Sequence, residues 1–84
     1  MSIRIVLADD HTILRQSLLK SFKQESDIEV VGQAKDGRST IEMVQQLQPD
    51  IVVMDIEMPD LNGLEATRRI TKEYPQVKII GLSM

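Results

Sequence analysis

Cysteine is missing from all 84 residues, which excludes disulfides and thiolate chemistry. No apolar run approaches the ~20 residues that a membrane-spanning helix needs. Nor do the first residues, Met1-Ser2-Ile3-Arg4, lead into the apolar stretch of a secretory signal. They pass directly into a strand pattern, so a cytoplasmic location is expected. Positive charge is in deficit, with 10 Lys and Arg against 13 Asp and Glu and a net charge of −3. That balance argues against binding nucleic acid or an anionic membrane through the overall field of this stretch. Low-complexity tracts and linkers are absent too, and a chain of this length holds one small domain at most. What is present is the composition of a folded chain, 42% apolar and 27% charged.

The apolar residues alternate between two periods. Residues 3–8 read as a buried strand, and 12–24 as a helix with Leu14, Leu18 and Phe22 on one line and Leu19 widening it. A valine-rich strand follows at 28–34. Residues 38–48 form a second helix, with Ile41, Val44 and Leu47 on one side. Asp36-Gly37 opens it and Pro49 stops it. A third strand spans 50–55, and a third helix 64–74, with Asn62 as its N-cap, Ala66, Ile70 and Tyr74 in line and Pro75 after it. A fourth strand covers 77–82. Strictly alternating strands and helices imply an α/β fold, a parallel sheet with helices on both faces. The first and third strands are near-continuous apolar runs, as strands covered on both faces should be.

Each of those two strands stops at carboxylates. Ile5-Val6-Leu7-Ala8 ends at Asp9 and Asp10, and Ile51-Val52-Val53-Met54 ends at Asp55. In open parallel sheets ligands collect beyond the carboxyl ends of the strands, at a switch in strand order. Three acids gathered there need a divalent cation or a proton to offset their repulsion. Oxygen donors suit Mg²⁺, which can clamp a phosphoryl group. An aspartate can also act as a nucleophile and form an acyl phosphate. Asp55 is the better candidate because it alone ends its strand, which leaves Asp9 and Asp10 to hold metal or its water. Ser83, after the fourth strand, lies on the same side of the sheet, where its hydroxyl could meet a phosphoryl oxygen. The plainer alternative is that aspartates follow strands because they cap helices. Their convergence on one edge favours the site. His11, the single histidine, reads as an exposed residue opening the first helix, in preference to an acid–base group. Arg15, Lys20 and Lys23 read as a solvated face.

Asp55-Ile56-Glu57-Met58-Pro59-Asp60-Leu61-Asn62-Gly63 fits the pattern D-x-x-M-P-x-x-x-G. Together with Ala8-Asp9-Asp10-His11 it resembles the receiver domains of two-component response regulators, over the whole chain. The resemblance implies a flavodoxin-like sheet of order 2-1-3-4, with Asp55 as acceptor of a phosphoryl group from a histidine kinase. It implies Mg²⁺ bound directly by Asp10, mainly through water by Asp9, and by Asp55 and the backbone carbonyl of Glu57. Ser83 is similar to the switch residue that contacts the phosphoryl group. The Asp9-Asp10-His11 start is similar to the subfamily that precedes a LuxR-type helix-turn-helix domain, which would bind DNA outside this segment. Pro59 and Gly63 need only structural roles, stiffening a loop and allowing a turn, and Met58 is a packing anchor rather than a ligand.

The chain departs from that family in one respect. A complete receiver continues with helix, strand and helix, and its fifth strand supplies a lysine to the phosphoryl group. No lysine here takes that position, since Lys78 lies within the fourth strand. Residues 1–84 are therefore expected to be the N-terminal part of a receiver, with no second domain and a weak capacity to accept phosphate. Ile79, Ile80 and Leu82 put large side chains on both faces of the fourth strand, and each left uncovered forfeits roughly 1.5–3 kcal/mol. Pairing of that strand, as a dimer or a strand-paired oligomer, is expected. Two other functions compete. A Mg²⁺-dependent phosphohydrolase with an aspartate nucleophile normally shows D-x-D, which Asp55-Ile56-Glu57 imitates only loosely, and its cap domain would not fit. A binding-only pseudo-receiver is disfavoured by the intact set of acids.

Overall fold

The computed structural model describes residues 2–55 and 63–82. Its elements run β1 (Ile3–Ala8), α1 (Thr12–Lys23), β2 (Ile28–Ala34), α2 (Gly37–Leu47), β3 (Ile51–Asp55), α3 (Gly63–Glu73) and β4 (Lys78–Leu82). The four strands form one sheet in the order β2-β1-β3-β4, and every pair is parallel. This is the α/β order expected from the alternation, and each predicted element is present with ends displaced by no more than about a residue. Val77 is the clearest case. It is buried just outside β4 and its N–H donates to Tyr74 O at 3.0 Å, so it closes a turn instead of opening the strand.

Alternate strand residues divide between the two faces. Val6, Ala8, Val52 and Met54 face α2 and α3, where they pack with Val44, Ala66 and Ile70. Ile5, Leu7 and Val53 face the other way, toward Leu18, Leu19 and Phe22 of α1. The second layer is thinner, since α1 has no fully buried residue and Ile13 is 82% exposed. In β2, Gly32 lets α2 approach closely, because a Cβ there would stand 3.0 Å from Leu47 Cδ1 and 3.1 Å from Met43 Sδ. A register shift between Ile5 and Val6 accommodates one extra residue of β2 beside β1.

Helix ends follow local chemistry. Asp36 caps α2, its Oδ1 accepting from the Ser39 N–H at 2.7 Å, while the buried Thr40 hydroxyl donates to the Asp36 carbonyl at 2.7 Å. At the other end Gln48 turns left-handed, with φ 47°, immediately before Pro49, which cannot continue a helix. The opposite end of the sheet is stitched by Asp50. Its Oδ2 accepts from Arg4 N at 2.8 Å, its N–H donates to Arg4 O at 2.9 Å, and its carbonyl accepts from Lys78 N at 3.0 Å. The proposed cap at Asn62 lies outside the described residues.

Candidate acidic site at the carboxyl edge of the sheet

The chain leaves β1 toward β2 on one side and later returns to β3 on the other. The switch in strand order therefore falls between β1 and β3, and a crevice opens beyond their carboxyl ends. Ala8 pairs with Met54, so the residues that follow them, Asp9 and Asp55, emerge side by side. Asp9 extends the ladder by one bond, its N–H donating to Ala34 O at 2.9 Å. Both carboxylates are buried, with side chains 0% and 1% exposed, whereas Asp10 reaches toward solvent.

The structure brings together Asp9, Asp10 and Asp55, as the sequence implied, and adds a fourth member. His11 Nδ1 lies 3.1 Å from Asp9 Oδ1, 3.2 Å from Asp55 Oδ2 and 3.3 Å from Asp10 Oδ1. An ionised carboxylate only accepts, so Nδ1 carries the proton in these contacts. The hydrogen bond to Asp9, then the charge of Asp10, holds the His11 pKa above its ordinary value. His11 does open α1 and is half-exposed, as expected, but its ring is not a bystander. It occupies the N-cap position without capping the helix, and its ring nitrogen turns back to the acids. Its backbone N–H also donates to Asp9 Oδ1, at 2.7 Å.

Arg15 corrects the expectation of a solvated basic face. It is half-buried and its Nη1 donates to the Asp9 carbonyl at 2.9 Å, fixing the backbone that presents Asp9. A sequence signal existed for this, since Arg15 stands one helical turn after His11 and so over the same strand end. Lys20 and Lys23 are exposed as expected. Asp9 Oδ2 is buried with no hydrogen-bond partner, an expensive state for a charged oxygen unless a cation or water meets it. One donor atom from each of Asp9, Asp10, His11 and Asp55 lies within 4.8 Å of the others, a spacing that could hold a metal ion. Glu57 and Ser83, the other proposed site residues, lie outside the described residues, as do Met58 and Pro59.

The fold and the acids define an α/β module with a candidate cation site at its topological switch. Comparison with known proteins supplies the family. The response regulator receiver domain family matches residues 5–84, and the chain belongs to it. The transcriptional regulatory protein DegU of Brevibacillus brevis is 42% identical over 82 residues, covering 98% of this chain and 35% of that protein. Among solved structures, the response regulator domain of Thermotoga maritima CheB superposes with a TM-score of 0.94 at 40% identity, covering 99% of this chain and 61% of that one. A LuxR-family two-component response regulator from Aurantimonas sp. SI85-9A1 gives a TM-score of 0.93 at 33% identity, covering 100% and 60%. The chain thus spans less than two-thirds of each of these relatives.

Proposed function

We propose that this chain is the phosphoryl-accepting part of a response regulator, with Asp55 as the acceptor and a histidine kinase as the donor. The observation that carries the reading is the meeting of three aspartates at the carboxyl ends of two adjacent parallel strands, one of them with a buried, unpartnered oxygen. In the transfer a carboxylate oxygen of Asp55 attacks the phosphorus of a phosphohistidine. The P–N bond breaks, a P–O bond forms, and the imidazole leaves with the electron pair. Asp9, Asp10 and Asp55, with the carbonyl of Glu57, are the residues that would hold Mg²⁺, and oxygen donors are what that ion takes. Bound there, Mg²⁺ would offset charge on the phosphoryl oxygens. Arg15 positions Asp9 by holding its carbonyl, and the burial of Asp55 limits water at the acyl phosphate. Ser83 would contact the transferred group.

The module accepts one phosphoryl group and does not turn over a substrate. It acts in the cytoplasm, and no helix among the described residues is long and apolar enough to cross a membrane. It controls a DNA-binding output domain, a reading supported by the regulatory name of the Brevibacillus relative and by the LuxR-family neighbour. The central test is incubation with a small phosphodonor and Mg²⁺, followed by intact mass and peptide mapping. One slow addition on Asp55, absent in Asp55→Asn, is expected. Addition elsewhere, or steady release of phosphate from a generic phosphomonoester, would overturn the reading.

A further inference from the structure

We infer that His11 is a fourth donor of the acidic site, so that the site takes transition-metal dications through an imidazole nitrogen as well as through oxygen. The inference rests on the proposed metal-site reading and adds to it a ligand and a selectivity. Three oxygens alone describe a site for hard cations. A nitrogen donor changes the class of ion, because imidazole suits first-row transition metals and adds little for Mg²⁺.

The geometry carries this. Nδ1 of His11 approaches one oxygen from each of three different aspartates, at 3.1, 3.2 and 3.3 Å. Neighbouring donors around a six-coordinate ion with bonds of about 2.1 Å stand about 3.0 Å apart, the bond length multiplied by the square root of two. The imidazole nitrogen therefore sits where a neighbouring ligand would sit, and it faces the acids rather than solvent. The backbone keeps it there. His11 is the residue before α1, its N–H is bound to Asp9 Oδ1 at 2.7 Å, and its carbonyl accepts from Arg15 N at 2.9 Å. Asp9 Oδ2, buried and without a partner, is an independent sign that the site is a donor short of a cation. An ion would displace the Nδ1 proton that now bonds the acids, leaving the half-exposed ring with its remaining proton on Nε2.

Because His11 is the single histidine of the chain, isotopic labelling isolates it without mutation. The complete chain is loaded with Mn²⁺ and studied by pulsed electron paramagnetic resonance, with natural-abundance and with ¹⁵N-histidine protein. Nitrogen modulation that changes with the label is the expected result. In parallel, Co²⁺ and Mg²⁺ affinities are measured for the native chain and for His11→Gln, with circular dichroism to establish folding. The ratio of Co²⁺ to Mg²⁺ affinity is expected to fall at least tenfold in the variant. Binding of Mn²⁺ without histidine nitrogen modulation overturns the inference while leaving the oxygen site intact, as does an unchanged ratio. Failure of the native chain to bind any of these ions overturns both the inference and the metal-site reading beneath it.

Discussion

Asp9 shows how a single buried carboxylate can be held without being satisfied. Its Oδ1 accepts from the backbone and ring of His11, its carbonyl accepts from Arg15, and its Oδ2 has no hydrogen-bond partner. The fold fixes the residue firmly and leaves its remaining charge to a cation. Binding an ion only in the folded state stabilises that state by about 2.7 kcal/mol when the ion is at about 100 times its Kd. Mg²⁺ is therefore expected to raise the melting temperature of the native chain, and chelation to reverse the rise. Asp10→Asn should abolish most of it, because Asp10 is an exposed donor whose loss leaves the core untouched. Thermal unfolding with and without Mg²⁺ checks this, and a full shift persisting in Asp10→Asn would contradict it. The three acids were legible in the sequence because strands ending at carboxylates are a local pattern. The role of His11 was not, because it depends on how the start of α1 sits over the edge of β1, and that of Arg15 showed only as its spacing of one helical turn from His11.

At the scale of elements, periodicity and punctuation located every strand and helix of the described residues, since Asp36, Pro49 and Pro75 act on their immediate neighbours. Asp36 offers a test. Its carboxylate accepts from the Ser39 N–H, and that bond holds its pKa below the ordinary 3.8. Asp36→Ala should cost about 0.5–2 kcal/mol, the usual range for a lost N-cap. The folded pKa is depressed, so the contribution is complete above about pH 4 and is lost as the pH falls through 3.8 toward the folded value. Urea titrations of both proteins across that range should converge at the acid end. A gap that stays constant with pH would rule out an ionised cap. Thr40 carries no such local signal, because a buried threonine whose hydroxyl bonds the preceding turn looks in sequence like any other polar residue of a helix.

For the whole molecule the question is how the sheet is finished. Sequence patterning predicted large side chains on both faces of the fourth strand, and the structure sorts them. Ile79 packs with the α2–α3 side, Leu82 with the α1 side, and Ile80 stands 50% exposed on β4. No strand among the described residues pairs the outer edge of β4, and in the 84-residue chain taken alone such an edge would invite another chain. Light scattering of the 84-residue chain should show mass rising with concentration, and Ile80→Lys should lower that association at least several-fold. A native monomer across a wide concentration range would exclude strand pairing. The sequence by itself determined the order of elements, the parallel sheet and the three acids at strand ends, because these follow from the periods of apolar residues and from local breakers. The resemblance already implied that β1 and β3 are neighbours, but only the tertiary structure decided that Asp9 and Asp55 are buried side by side and that His11 turns its ring into their midst. Those are contacts between residues up to 46 positions apart, and they exist only once the sheet has brought the two strand ends together.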